Sequence, residues 1–456
     1  MERGKNGGVY TLSRLVLAFV MLSAAAACTH PAGEPIHTRP HSPAAFTPPA
    51  GAPAVSPARR EVIVMVFDGL APALVERAET PNLDRMAREG TSTDAMVPPF
   101  PSISLIGGFT ISTGCWPARH GIVTNRFLDP ERGLYDHASD ADWLLDCEGL
   151  HEAAERQGVP TATLAWYGEV SGTRGKLARE VNYHPDWQSR PDDRTRAREI
   201  AALVARPDDT RPDLILAYLN GPDGAAHFEG IDSATARAAT ERSDEAVGIV
   251  LDAVRAAGRE RDTTMIVTTD HGMVPVGEMI NAEYLLRAND IEGMALATGT
   301  TAFLYLAEGE DIDAVATKLA HYEEFDVLRP GISPELATVG DGPRMGDLVL
   351  AARPPHVMED RSAWPEWLRW VAVTGPTMVD TSGTLPASHG YAPGTPGADV
   401  NGVLYAWGSG IPAGRKAGPV RAIDIHPTIT HLLGIEPGRP IDGRVSRELL
   451  VQPDPR

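Results

Sequence analysis

Cysteine, aromatic residues and basic residues are all scarce in this chain of 456 residues. It has three cysteines and 6% Phe, Trp and Tyr, so a small scaffold held by many disulfides is excluded. Lys and Arg number 41 against 61 Asp and Glu, which gives a net charge of −20. Nucleic acids and anionic lipids are bound through Lys and Arg, so the composition excludes a nucleic-acid groove. The 43% hydrophobic and 22% charged residues exclude a disordered or fibrous protein.

Long apolar runs are also missing near the N-terminus, where Leu15–Ala27 is too short to indicate a membrane span. The run follows Arg3, Lys5 and Arg14, so residues 1–27 are predicted to be a signal peptide. Its end, Ala25-Ala-Ala-Cys28, resembles a bacterial lipoprotein box, with Cys28 as the lipidated residue. We therefore expect export to the periplasm and an outer-membrane anchor at Cys28, the protein's one membrane contact. Plain signal cleavage and a buried apolar helix are the alternatives.

Residues 28–58 have a composition that cannot bury a core. Eight prolines lie among alanines, threonines and serines, so we interpret this stretch as a tether. Residues 59–456 are then the main folded domain, with the less regular residues 276–380 as an inserted cap. The sequence assigns no oligomeric state.

Four apolar runs rich in β-branched residues indicate strands buried on both faces. They are Glu61–Phe67, Thr161–Trp166, Asp213–Leu219 and Thr263–Thr269. Helical patterns lie between them, at Pro81–Glu89, Gly149–Gln157 and Ser233–Ala257. This alternation predicts an α/β fold with a mostly parallel sheet covered by helices on both faces.

Acidic residues and histidines follow several of these strands. In an open parallel sheet such positions meet at the carboxyl edge, where ligands bind. Carboxylates and imidazoles are ligands for zinc or manganese. The set gives three ligands for each of two metals: Asp68, Asp223, His227, Asp270, His271 and His389. Two-metal sites clamp the attacking and leaving oxygens of a displacement reaction.

A candidate nucleophile follows the proline-rich segment Pro98–Pro101. Ser104 lies at the predicted start of a helix over Leu105–Thr113, where free N–H groups favour an anion. Metal coordination can activate a serine hydroxyl without a neighbouring base. The alternative is that Ser104 only caps the helix.

These motifs resemble the nucleotide pyrophosphatase/phosphodiesterase family of the alkaline phosphatase superfamily. The resemblance covers roughly residues 61–435. Its segments, in chain order, are Thr80–Gly90, Phe100–Ser104, Thr113–Asn125, Trp166–Glu169, Tyr218–His227, Thr269–Gly272, His389–Tyr391 and Asp424–Gly434. It implies an alkaline phosphatase-like three-layer αβα sandwich. In the last segment, His426 and the nearby His431 are interpreted as structural.

The resemblance also implies residue roles and a cofactor. Asp223, His227 and His389 would hold one zinc, and Asp68, Asp270 and His271 the other, with manganese or another divalent ion as alternatives. Asn125 would bind a phosphoryl oxygen. The implied activity is hydrolysis of phosphodiesters or nucleotide pyrophosphates through a phosphoseryl intermediate, with a small phosphate ester or nucleotide as substrate.

The sequence departs from the family at the substrate pocket. Ser104 replaces the usual threonine, and Leu105–Gly108 replaces an aromatic-Pro-Asn segment, so Leu105 is a candidate pocket residue. Tyr218 is a candidate to stack on a base, or else ordinary packing. A phosphomonoesterase would need an extra cation, for which Arg174 and Lys176 are candidates.

Cys115 raises one alternative chemistry. Cys115-Trp-Pro-Ala-Arg119 fits the pattern that sulfatases oxidise, although a sulfatase nucleophile should stand at the position of Ser104. Cys115 and Cys147 are equally compatible with a disulfide and with two buried thiols. A lipoprotein that has lost catalysis is the remaining alternative.

Overall fold

A mixed sheet of nine strands forms the centre of the protein in a computed structural model. The structure describes residues 60–184, 190–360, 378–380, 385–437, 439 and 441–451. The predicted signal peptide, Cys28 and the tether lie outside these residues. In chain order the strands are β1 Glu61–Phe67, β2 Thr91–Val97, β3 Thr161–Leu164, β4 Glu180–Asn182, β5 Leu214–Leu219, β6 Thr263–Thr269, β7 Gly402–Gly408, β8 Arg415–Lys416 and β9 Val420–Arg421.

The strand order is β8-β2-β7-β6-β1-β5-β3-β4. Strand β9 also pairs with β2, at Met96–Val97, whereas β8 pairs with it at Thr91–Ser92. Strand β7 pairs antiparallel with both of its neighbours, whereas every other pair in this sheet is parallel. The sheet is therefore mostly parallel, as the sequence predicts. Strands β2, β4, β7, β8 and β9 were not predicted: β2 begins with four polar residues, β7 begins and ends with glycine, and the other three have only two or three residues each.

Both faces of the sheet are buried. In β1, Val62, Val64 and Val66 join one apolar cluster, and Ile63, Met65 and Phe67 join another. Burying such a side chain stabilises the fold by about 1.5–3 kcal/mol, which explains why the strand reads as a continuous apolar run.

Helices cover the two faces and complete three layers. Pro81–Glu89, Asp193–Val204 and Ala234–Ala256 pack on one face, and Ser104–Thr113, Leu150–Arg156 and Ile425–Leu433 on the other. The further helices are Pro72–Val75, Pro117–His120, Asp223–Glu229, Ala282–Ala288 and Ile312–Leu319. The predicted helices differ from the observed ones only at their capping residues, except that the helix predicted over Leu105–Thr113 begins one residue earlier, at Ser104. Within the described residues, no helix combines the length and apolar composition that a membrane crossing needs.

Smaller sheets lie beside the central one. Within residues 276–380, one sheet contains Gly293–Thr298, Thr301–Leu306, Leu348–Ala352 and Phe325–Leu328, and another contains His356–Glu359, Glu278–Asn281 and Met378–Asp380. Three two-stranded pairs are Arg126–Asp129 with Gly133–Asp136, Val170–Ser171 with Gly175–Lys176, and Val274–Pro275 with Ala387–Ser388. The division into tether, catalytic domain and cap remains a prediction.

Candidate active site

The register of the central strands brings two carboxylates to one edge of the sheet. Phe67, the last residue of β1, pairs with Thr269 of β6 on one side and with Leu219 of β5 on the other. Asp68 and Asp270 follow directly, and both are buried. Their proximity is therefore a consequence of parallel pairing in register.

Asp223 reaches the same edge through a tight loop after β5. Gly221 has a φ of +59°, and a Cβ there would lie 2.1 Å from the carbonyl oxygen of Asp68. Only glycine allows this close approach. The helix Asp223–Glu229 then begins, and its period places His227 one turn on, with Nε2 3.3 Å from Oδ1 of Asp223.

The three histidines are oriented in the same way. Nδ1 of each lies 2.9 Å from a backbone carbonyl: that of Ala387 for His227, Gly272 for His271 and Ser102 for His389. A donated Nδ1 proton leaves Nε2 unprotonated in the neutral ring and free to bind a cation. These carbonyl partners carry no sequence signal.

Two groups of ligand atoms converge, each within 4.8 Å: Asp223 with His227 and His389, and Asp68 with Asp223 and His271. Asp223 belongs to both groups. Asp270 stands beside the second group, its Oδ1 3.9 Å from Nε2 of His271. All six predicted ligands are thus neighbours, although Asp223 rather than Asp270 completes the second group here.

The electrostatics of the site reflect several buried charges. Burial and the Asp68 carboxylate raise the pKa of Asp270 to about 8. Burial opposes ionisation of Asp223, but His227 and His389 outweigh it and hold its pKa far below the usual range. Burial works against the charged form of His271, yet Asp270 and Asp68 raise its pKa to about 10. Burial and the two neighbouring histidines lower the pKa of His389 well below its ordinary value.

The donor set fits divalent cations. Oδ1 of Asp223 is buried without a hydrogen bond from the described residues, although Nε2 of His227 lies 3.3 Å away and Nε2 of His389 3.7 Å away. The rings of His271 and His389 stack with centroids 3.6 Å apart. Nitrogen and oxygen atoms that crowd one space without bonding to one another are the arrangement that a zinc or manganese ion satisfies.

Ser104 lies beside the second group. It is the first residue of the helix Ser104–Thr113, and its side chain caps nothing. Its Oγ lies 3.1 Å from Nε2 of His271 and 3.4 Å from Oδ1 of Asp68. The helix can approach Asp270 closely because Gly107 has no Cβ; a Cβ there would lie 2.4 Å from the carbonyl oxygen of Asp270. The hydroxyl therefore faces the candidate ligands.

Asn125 and Leu105 lie at the same helix end. Oδ1 of Asn125 accepts a hydrogen bond from the backbone N–H of Leu105 at 3.3 Å, which leaves the amide NH₂ to donate elsewhere. Tyr218 is buried, and its hydroxyl donates to Oδ2 of Asp68. This contact favours a role in orienting Asp68 over stacking on a base. Tyr167, which donates to Oδ2 of Asp270 at 3.3 Å, was not singled out by the sequence.

Other predicted residues lie apart from these groups. His426 is buried with Nδ1 2.8 Å from the carbonyl of Ser112, and His431 is exposed, in agreement with structural roles. Arg174 pairs with Glu152, and Lys176 lies in the hairpin with Val170–Ser171.

Cys115 forms a disulfide with Cys147. It follows the C-terminal end of the helix whose first residue is Ser104, about 15 Å along the axis. A bonded sulfur at that distance from the Asp and His residues is not a nucleophile for this site.

Comparison with known sequences agrees with this arrangement. Residues 62–392 match the type I phosphodiesterase / nucleotide pyrophosphatase family. An uncharacterized pyrophosphatase/phosphodiesterase of Schizosaccharomyces pombe is 30% identical over 226 residues, 48% of this chain and 45% of that protein. A Caenorhabditis elegans ectonucleotide pyrophosphatase/phosphodiesterase is 25% identical over 64% of this chain and 39% of its own. The alignment thus spans less than half of these two relatives.

Human ectonucleotide pyrophosphatase/phosphodiesterase family member 7 is 24% identical over 423 residues, which are 86% of this chain and 84% of that protein. Human ectonucleotide pyrophosphatase/phosphodiesterase 5 superposes with a TM-score of 0.73 and 19% identity over 86% of this chain and 100% of its own. An inactive variant of the murine protein, in complex with AMP, superposes with a TM-score of 0.72 over the same shares. The structural similarity confirms the alkaline phosphatase-like fold. The chain therefore belongs to the type I phosphodiesterase / nucleotide pyrophosphatase family.

Proposed function

We propose that this protein is an exported metal-dependent hydrolase that cleaves phosphodiesters or nucleotide pyrophosphates through a phosphoseryl intermediate. The position of Ser104 is the observation that carries the proposal. Its hydroxyl lies at a helix N-terminus, within 3.4 Å of Asp68 and His271. Family membership supports the reaction class, and the AMP complex of the murine relative supports a nucleotide as substrate.

In the first step the Ser104 oxygen attacks phosphorus, and the bond to the leaving-group oxygen breaks in line with it. Two divalent cations, zinc in the first instance, held by Asp223, His227 and His389 and by Asp68, Asp270 and His271, would lower the pKa of the hydroxyl and offset phosphoryl charge. Asn125 donates its NH₂ to a phosphoryl oxygen, and the free N–H groups of the helix add to this. The leaving group departs and takes up a proton, which balances the proton that the Ser104 hydroxyl releases.

In the second step a water attacks the phosphoseryl ester from the side that the leaving group vacated. The bond between phosphorus and Oγ breaks, and Ser104 regains its proton. The three histidines stay in place because each holds a backbone carbonyl through Nδ1. The chain itself thus supplies the nucleophile, a hydrogen-bond donor for the phosphoryl oxygens and the oriented metal ligands.

A turnover panel tests the proposal. We expect bis-p-nitrophenyl phosphate and the nitrophenyl ester of thymidine monophosphate to be cleaved faster than p-nitrophenyl phosphate, and nitrophenyl sulfate not to be cleaved. Preferred cleavage of the sulfate would overturn the proposal. A protein that turns over none of these esters while binding AMP would be a binding protein that has lost catalysis.

One observation keeps a phosphomonoesterase as the second candidate. A monoester carries an additional negative charge, and Arg174 is engaged by Glu152. The guanidinium of Arg190 lies 4.7 Å over the ring of Tyr218, and its Nε is buried without a hydrogen-bond partner among the described residues. If Arg190 serves monoesters, Arg190→Ala should lower kcat/KM for p-nitrophenyl phosphate and spare bis-p-nitrophenyl phosphate. An equal change for both substrates would remove this candidate.

The location of the protein is proposed from the sequence. Residues 1–27 would direct export, and a lipid on Cys28 would anchor the protein to the outer membrane through the tether of residues 28–58. Cys28→Ser should move it from the membrane fraction to the soluble periplasmic fraction. If the wild-type protein is already soluble in the periplasm, the proposed export stands and the proposed lipid anchor is refuted.

A further inference from the structure

Two tyrosines are buried behind the candidate ligands. Tyr167 and Tyr218 are 4% and 7% exposed, and their rings pack edge to face with centroids 5.5 Å apart. A buried tyrosine normally needs a partner for its hydroxyl, because an unpaired polar group in the interior is costly. Both phenols find carboxylates as partners.

Each of the two tyrosine hydroxyls donates a hydrogen bond to a different carboxylate. Tyr218 donates to Oδ2 of Asp68, and Oδ1 of Asp68 is left facing Nε2 of His271 at 3.2 Å. Tyr167 donates to Oδ2 of Asp270 at 3.3 Å. Each of these two carboxylates thus accepts a hydrogen bond from one phenol.

Asp270 is also held on its other oxygen. Its Oδ1 accepts hydrogen bonds from the backbone N–H groups of Gly69 at 3.3 Å and His271 at 3.0 Å. Both oxygens of this buried side chain therefore accept hydrogen bonds. Within the part of the chain that the structure describes, Tyr167 is the side chain that donates to Oδ2, whereas the hydroxyl of Thr269 donates to Oδ1 at 3.2 Å.

The nucleophile helix makes room for this arrangement. A Cβ at Gly108 would lie 2.0 Å from the ring of Tyr167, so any other residue there would displace the phenol. Gly108 lies one turn beyond Ser104 in the same helix. The absence of a side chain at Gly108 therefore leaves the space that the ring of Tyr167 occupies.

We propose that Tyr167 and Tyr218 are positioning residues that hold the carboxylates of Asp270 and Asp68 in the geometry that binds the divalent cation beside Ser104. The inference rests on the proposed two-metal function. The phenols act through the carboxylates and contact neither substrate nor the reacting atoms. Second-layer hydrogen bonds of this kind typically change metal affinity by about 10–100-fold.

The release of zinc from the purified holoprotein to a chromogenic chelator tests this role. We expect wild type to release two zinc ions. In Tyr167→Phe and in Tyr218→Phe, one of the two ions should be held about 10–100-fold more weakly, while the other is unchanged. Phenylalanine keeps the ring, so packing is retained. Tyr135→Phe is the matched control, because Tyr135 is equally buried and donates to the carbonyl of Ala138, away from the site.

The possible results separate the two proposals. Wild type that holds no divalent cation would overturn the proposed function itself. If the wild type holds two zinc ions and both tyrosine variants release them as Tyr135→Phe does, this inference alone is overturned. An equal loss of affinity for both ions would also overturn it. A general loss of structure, and not the loss of a hydrogen bond to one carboxylate, would then be the cause.

Discussion

Oγ of Ser104 lies 3.1 Å from Nε2 of His271. The contact joins two segments that are 167 residues apart, and it forms because the helix bearing Ser104 packs against the carboxyl ends of β1 and β6. His271 presents Nε2 because its Nδ1 holds the carbonyl of Gly272. The hydroxyl is therefore placed where one of the candidate cations would bind, which is the basis for the first prediction.

Ser104→Ala should lower phosphodiester turnover by at least about 10²–10⁴-fold, because it removes the covalent nucleophile and leaves the ligands in place. Ser104→Thr should be the mildest change, since it keeps the oxygen. Ser112→Ala is the control, as it removes a buried hydroxyl from the far end of the same helix. Stopped assays with bis-p-nitrophenyl phosphate measure the effect. A Ser104→Ala protein as active as Ser112→Ala would refute the assigned nucleophile.

His389→Ala should reduce the bound metal from two ions to about one. It removes one of three candidate ligands that lie within 4.8 Å of one another, the others being Asp223 and His227. Elemental analysis of the purified protein provides the measurement, and the exposed His321 gives the control variant His321→Ala. An unchanged metal content in His389→Ala would exclude this residue as a ligand. In the wild type, removal of the metal by a chelator should abolish turnover.

Acid should destabilise the protein through histidines buried without charge. Burial lowers the pKa of His120 to about 3 and the pKa values of His151 and His426 to about 4. The unfolded chain, with a histidine pKa near 6.5, binds more protons than the folded chain, so the free energy of unfolding falls as the pH drops from about 6.5 toward 4.

The contribution of His426 can be isolated by substitution. Its shift corresponds to on the order of 3 kcal/mol between pH 7 and pH 4. Urea unfolding at both pH values should therefore show a smaller pH-dependent loss in His426→Gln than in wild type. Identical losses in the two proteins would show that His426 does not bear the acid sensitivity.

The disulfide should contribute stability but not catalysis. Cys115 and Cys147 are separated by 32 residues, and closing a loop of this length removes about 3–4 kcal/mol of unfolded-state entropy. The double variant Cys115→Ser/Cys147→Ser should unfold at lower urea and keep its turnover at 25 °C. Selective loss of nitrophenyl sulfate cleavage in that variant would instead revive the sulfatase interpretation.

Local patterns were sufficient to predict four of the nine strands of the central sheet and the residue types of the candidate site. β1 and β6 were predicted with their observed ends, because runs rich in apolar and β-branched residues favour strands buried on both faces, and an aspartate, Asp68 or Asp270, follows each run directly. The six Asp and His residues could be found in the same way. Ligand chemistry restricts which residue types can serve, and the carboxyl edge restricts where they stand.

Only the tertiary structure decided how these residues meet. Asp223 lies in both ligand groups, Tyr167 and Tyr218 hold carboxylates, and Cys115 is bonded to Cys147. Each of these facts depends on a distance between segments far apart in the chain, set by strand register and by close approach at glycines such as Gly108 and Gly221. A sequence determines which groups are available, whereas the packing of sheet and helices determines which of their atoms come within bonding distance.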